Sequence, residues 1–294
     1  MPLRPTLLFF VLTTSVFAYD PAALDNGKQL FQKRQLTEAK ALFEKLAVAE
    51  PNDAELNYWL GLTALNLKDH EAAVRYLEKA TAGDANQPRY FHQLGDAYGV
   101  SAQKASIFSQ MGLAKKCLAA YDRAVALAPD NVEYRKSRYE FYRAAPSIVG
   151  GGMDKAVAEI AEIEKRDPVQ GAGLRTDIKL KEKKPDEAFA ILDDLRKKFP
   201  SNQVVLYQYG RLAAMTDLHL DEGENALKEY VAYTPKSGEP PLWAAHWRLA
   251  QILEKKGVNA EACSHYEETL RLNPAFDRAR EALKRLGPTA ANKP

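Results

Sequence analysis

The sequence predicts an all-α chain: about seven helix-turn-helix units stacked in a row, closed by a C-terminal capping helix. Three observations predict it. The first is the spacing within residues 54–85. There Gly61 follows Leu60, Ala73 stands twelve places after Gly61, Leu77 four places later and Ala80 three after that. Antiparallel helices lie close only where the crossing residues are small. Gly61 and Ala73 therefore mark crossing points, while Leu60, Leu77 and Ala80 fill the gap to the next pair. The second observation is that the same spacing recurs along the chain with a period of about 34 residues. The third is that such units use up the chain beyond its first eighteen residues, leaving no room for a separate catalytic domain.

Taken in order, residues 1–18 read as a secretory signal. Arg4 precedes an apolar run from Leu7 to Leu12, and Ser15-Val16-Phe17-Ala18 suits cleavage after Ala18. The alternative is a retained anchor. The run is short for a bilayer, and no later stretch approaches the roughly 20 apolar residues a span needs, so no transmembrane segment is expected once the signal is removed. Unit one (19–53) carries Gly27, Ala39 and Phe43 at the repeat spacing, with Leu46 where alanine is usual and Pro51 as a breaker. Unit two (54–87) holds the pattern already described. Unit three (88–131) has Leu94-Gly95 and Tyr98, then Cys117, Tyr121, Ala124 and Pro129. Its Gly95–Pro129 interval is 34, against 24 from Gly27 to Pro51, so about ten residues are inserted within Gly99–Ala114. The insert has no proline and reads as an extension of both helices.

Unit four (132–168) opens with a Tyr- and Arg-rich helix, Val132–Arg143. Pro146 ends it, Gly150, Gly151 and Gly152 follow, and a second helix starts near Met153 with Ala156 as its small marker and Pro168 as its stop. Unit five (169–202) is degenerate: its first helix, Gln170–Lys183, lacks the marker glycine, while Ala188, Leu192 and Leu195 keep the spacing. Unit six (203–235) shows Tyr209-Gly210, Gly223, Leu227 and Tyr230. A linker, 236–241, precedes unit seven (242–275) with Trp247, Leu249-Ala250, Ala262 and Tyr266. Residues 276–287 form the cap, with a polar outer side, and 288–294 a disordered tail.

The chain resembles the tetratricopeptide-repeat family over nearly all of its length beyond residue 18. Units one, two, three and seven match well; four and five match mainly through their second helices. Exported bacterial members look similar in pairing an insert, here Gly99–Ala114, with an A-P-x-x-x-G-G-G turn, here Ala145–Gly152. The resemblance implies a right-handed superhelix, an α-solenoid, whose first helices line a concave groove for peptides or protein segments. Fold alone does not fix function. In the family the fifth and ninth places of each unit face that groove. Here they include Tyr58, His92, Lys136, Tyr207 and Trp247, then Lys28, Asp96, Glu140, Arg211 and Gln251. Aromatics alternating with charges suit an extended peptide; the alternative is that some of these aromatics pack between helices. Chaperone-binding members grip a C-terminal carboxylate through Lys and Asn at set places. Here those places hold Leu24, Lys28, Trp59, Arg89 and Gln93, and only Arg89 matches, so that clamp is absent.

Other chemistry is weakly signalled. Gly150–Gly152 leads into a helix, and free N–H groups there, with Lys155 one turn in, would suit an anion. The motif is not a P-loop, and a sharp turn explains the glycines equally. The five histidines form no H-E-x-x-H and no i,i+4 pair, so no metal is expected. Cys117 and Cys263 read as buried thiols several repeats apart. No nucleophile set emerges, so no catalytic residue, no enzyme activity and no cofactor are assigned. The formal charge of +2, falling by one without Arg4, disfavours nucleic acid. The expected function is an exported, periplasmic or secreted, non-catalytic scaffold binding a protein or peptide in the concave groove. The alternative is a small-molecule or anion receptor with a pocket near the unit-three insert and the triple-glycine turn.

Overall fold

A computed structural model of the chain describes residues 19–287. The expected signal, 1–18, and the tail, 288–294, lie outside the described residues. Among those described there are fifteen α-helices, one 3₁₀ turn and no strand. The helices are α1 (Pro21–Gln32), α2 (Leu36–Ala47), α3 (Ala54–Asn66), α4 (His70–Gly83), α5 (Pro88–Lys104), α6 (Ile107–Leu127), α7 (Val132–Ala144), α8 (Met153–Glu164), α9 (Pro168–Lys181), α10 (Pro185–Lys198), α11 (Gln203–Thr216), α12 (Leu220–Val231), α13 (Leu242–Lys255), α14 (Asn259–Leu272) and α15 (Asp277–Leu286). The 3₁₀ turn is Ser147–Val149, between α7 and α8. The chain forms two compact units, divided after Ala156 within α8.

In the first unit α1 packs on α2, α3 on α4 and α5 on α6. The marker glycines explain how. A Cβ on Gly27 would come 2.3 Å from the Phe43 ring, one on Gly61 2.5 Å from Leu77 Cγ, and one on Gly95 2.4 Å from the Tyr121 ring. Each glycine thus seats the large residue of its own partner helix. Leu77, expected between pairs, also closes the crossing within its pair. The core runs from Phe43, Leu56 and Leu60 to Leu77, Tyr90, Leu94 and Tyr98. Fully burying each such leucine is worth roughly 1.5–3 kcal/mol. Helix starts follow capping chemistry: Asp53, Asp69 and Asn131 accept from the N–H groups of Leu56, Ala72 and Tyr134.

In the second unit α9 packs on α10, α11 on α12, α13 on α14, and α15 on α14. One core links Phe189, Leu192, Tyr209, Leu212, Leu227, Tyr230, Leu249 and Tyr266. In α15 only Ala279 and Ala282 are buried, and its charged residues face outward.

Five helix pairs are joined by turns of equal length. Three residues connect α1 to α2, α3 to α4, α9 to α10, α11 to α12 and α13 to α14. The middle one is left-handed in four of them: Arg34, Lys68, Lys183 and Gly257, with φ of 62°, 63°, 60° and 78°. The insert extends α5 and α6, interrupted only at Ala105-Ser106. Pro168 is a correction to the sequence reading. It opens α9 instead of stopping α8, because proline fits the first helical turn, where its missing N–H is not needed, and Asp167 caps the helix through Gln170 N–H at 2.9 Å.

Candidate functional site

The extended third pair creates the main cavity. Helix α6 has 21 residues and α5 has 17, whereas the α7 that follows has 13. The overhanging turns therefore face the 3₁₀ turn instead of a helix of equal length. Between α5, α6, α7 and that turn lies an open cavity of about 690 Å³. Gly99, Met111, Ala114, Cys117, Phe141 and Val149 supply apolar wall; Glu133, Lys136, Ser137 and Glu140 supply polar lining. Gly99 leaves room, since a Cβ there would meet only Cys117 Sγ at 3.6 Å. Near the start of α6, Ile107 and Phe108 are 72% and 89% exposed, and Ile148 on the 3₁₀ turn is 68% exposed. Large apolar side chains left in water beside an apolar cavity mark a contact surface.

Beneath the cavity the polar groups satisfy one another. His92 Nε2 is 2.8 Å from Ser137 Oγ, and its ring lies 4.7 Å from Tyr134. Tyr121 donates its hydroxyl to Asp96 at 2.7 Å. Burial pushes the Asp96 carboxyl up and keeps the Tyr121 phenol protonated. Burial also pushes the Cys117 thiol up to about 12. Among the described residues no group of three metal-ligating side chains occurs.

Several groove assignments are corrected. Tyr58 is buried, its ring 4.9 Å from Tyr90, with the Arg89 guanidinium 4.9 Å from its own centroid. His92 is buried and Asp96 engaged, as described, so these three pack between helices and do not present free groove chemistry. Lys136 pairs with Glu133 at 3.1 Å and lines the cavity. The triple-glycine turn is held by its own backbone hydrogen bonds. Gly150, Gly151 and Gly152 donate their N–H groups to the carbonyls of Ser147, Pro146 and Tyr142 at 2.9, 3.1 and 2.8 Å. Lys155 Nζ donates to Gly150 O at 2.9 Å. The N–H groups of the three glycines are therefore engaged within the turn itself. Gly151 is required for close approach, because a Cβ there would meet Ala145 O at 1.8 Å.

The second unit gathers the remaining candidates. Arg211 pairs with Asp177 at 2.5 Å. Tyr207 packs 5.3 Å from Tyr230, and burial pushes its phenol up. Arg248 donates to Gln251 Oε1 at 2.9 Å. Trp247 stacks 5.2 Å from Tyr266 and, with Gln251 and Arg278, lines a second cavity of about 550 Å³. Arg248 was missed in the sequence because it falls one place after Trp247, off the family's groove positions. His246 and His265 also meet, Nδ1 to Nδ1 at 2.8 Å. They come from different helices, so no local spacing signals them. Burial lowers the pKa of both.

Comparisons agree with this architecture. Tetratricopeptide-repeat family models match residues 24–88 and 100–131. A tetratricopeptide repeat protein from Parabacteroides merdae is 13% identical, with 90% of this chain and 97% of that one covered and a TM-score of 0.60. Yeast Tom70 is 17% identical, with 97% of this chain and 59% of that one covered and a TM-score of 0.65. At these identities the likeness is one of fold. No curated protein matches the sequence.

Proposed function

We propose, from the tetratricopeptide repeats matched at residues 24–88 and 100–131, that this chain is an exported, non-catalytic scaffold that receives a protein segment. The observation that carries the reading is the open apolar cavity between α5, α6 and α7, flanked by exposed Phe108, Ile107 and Ile148. An amphipathic or extended segment buries its apolar anchors in such a groove and leaves its polar side to solvent. The expectation of export is supported by Arg4, the Leu7–Leu12 run and Ala18. Among the described residues no helix is long and apolar enough to cross a membrane.

A photo-crosslinking residue placed at Phe108 in the full chain tests the proposal in the cell. The expected product is an adduct with a discrete protein, lost when Ala114→Trp fills the cavity and leaves the melting curve intact. Adduct formation that survives filling of the cavity removes the cavity from the site. A second reading, a small-molecule receptor, is favoured by one feature: the cavity volume falls within the roughly 300–1,000 Å³ of ligand pockets. A crosslink-free Phe108 variant, together with a thermal shift from an apolar small molecule that Ala114→Trp abolishes, selects that reading.

A further inference from the structure

Two half-buried imidazoles join α13 to α14. Nδ1 of His246 lies 2.8 Å from Nδ1 of His265. The ring centres are 5.1 Å apart and the ring planes 31° from one another. That separation equals the nitrogen contact plus the two ring radii only when both nitrogens lie on the line between the rings. Each Nδ1 therefore points straight at the other, the arrangement of a hydrogen bond. It is not the arrangement of a chelate. A metal ion on that line needs about 2 Å to each nitrogen, more than the gap holds.

Two facing Nδ1 atoms hold one proton between them. In the neutral pair one ring carries its proton on Nδ1 and donates, while the other carries its proton on Nε2 and accepts. A first added proton goes to Nε2 of the donating ring and leaves the bond intact. A second goes to the accepting Nδ1. The bond is then lost, and two like charges face each other across the contact. The charged groups around the pair are Glu261, Glu268 and Arg271 on α14 and Lys228 on α12. Glu268 is held by Arg271 and Lys228 by Glu224, each at 2.6 Å. Burial outweighs the two carboxylates and, with the charge of His246 acting next on His265, keeps both rings below the ordinary imidazole value. Each histidine also precedes a wall residue of the second cavity: Trp247 follows His246, and Tyr266 follows His265, with their rings packed at 5.2 Å.

We propose that His246 and His265 form a proton-sharing latch between α13 and α14, closed near neutral pH and opened by acid, which loosens the Trp247–Tyr266 wall of the second cavity. The sign follows from linkage. The folded pair takes up protons at a lower pH than the unfolded chain does. Its contribution to stability is therefore whole above about pH 6.5, the ordinary imidazole value, and is lost as pH falls below it. The latch goes beyond the scaffold reading and depends neither on the occupant of the first unit's cavity nor on export.

The test is amide hydrogen exchange on the full chain at about pH 7 and about pH 5, with the intrinsic pH dependence of exchange divided out. Opening of α13 and α14 is expected to become about tenfold or more easier at the lower pH, since one linked proton is worth about a factor of ten per pH unit. Helices α9 and α10 of the same unit contain no histidine and are expected to stay level. The double variant His246→Gln/His265→Gln keeps polar side chains but removes both titrating rings, and it is expected to abolish the change at α13 and α14. Wild-type α13 and α14 that are as protected at the lower pH as at the higher overturn the latch. An equal loss of protection in the double variant, or in α9 and α10, overturns it too, since the sensor then lies elsewhere. If the double variant fails to fold, heteronuclear NMR of the wild-type rings decides. One Nδ1-bound and one Nε2-bound proton near neutral pH support the shared bond, and two Nε2-bound protons overturn it.

Discussion

At Gly61 the missing side chain sets the distance between two helices. Leu77 occupies the volume a Cβ would need, with 2.5 Å between that position and its Cγ. Gly61→Ala is therefore expected to overpack the α3/α4 crossing and to cost about 1–3 kcal/mol. Trimming the opposing residue with Leu77→Val is expected to recover part of the loss, read as a positive coupling in urea melts. An alanine at Gly61 that leaves the midpoint unchanged would show that the crossing has slack. The same logic distinguishes this glycine from Gly151, where the obstacle is the backbone carbonyl of Ala145 and no side-chain trimming gives relief.

At the level of helices and turns, the connection inside four of the pairs repeats with its middle residue in the left-handed region. Gly257 meets that requirement without strain, whereas Lys68 meets it at φ 63° with a Cβ in place. A left-handed non-glycine residue costs about 1–2 kcal/mol, partly offset by the greater unfolded-chain entropy of glycine. Lys68→Gly is accordingly expected to stabilise the protein by about 0.5–1 kcal/mol, seen as a higher melting temperature. A lower one would mean that the lysine side chain contributes packing that outweighs the strain. Helix pairs were legible in the sequence because the small and large residues that make them lie within one turn-and-return of the chain. The extension of α5 and α6 was legible too, since an insert free of proline has no reason to leave a helix. The sites were less legible. Place numbering gives the side of a helix on which Tyr58 and His92 start. It does not say that Arg89 and Tyr90 cover the first, or that Ser137 and Tyr134 close over the second. The cavity depends on a length mismatch between neighbouring pairs, and the His246–His265 contact on residues from two helices, so both are products of packing.

For the molecule as a whole, repeat stacking means that each pair is stabilised chiefly by its neighbours. In α15 the charged residues stay exposed while Ala279 and Ala282 pack inward. Export is a whole-chain property and carries its own prediction. The mature protein recovered from the producing cell's envelope or medium is expected to begin at Tyr19, read by intact mass and N-terminal sequencing. A retained Met1 would make the Leu7–Leu12 run an anchor. The cavity floor bears on any such passage. Cys117 forms part of the cavity wall, and burial pushes its thiol up to about 12 and raises Cys263 as well. At neutral pH on the order of one Cys117 in 10⁵ is a thiolate, and the thiolate is the form that oxidants and disulfides attack. The two buried thiols therefore stay apart and reduced in the folded chain whether its surroundings are reducing or oxidising.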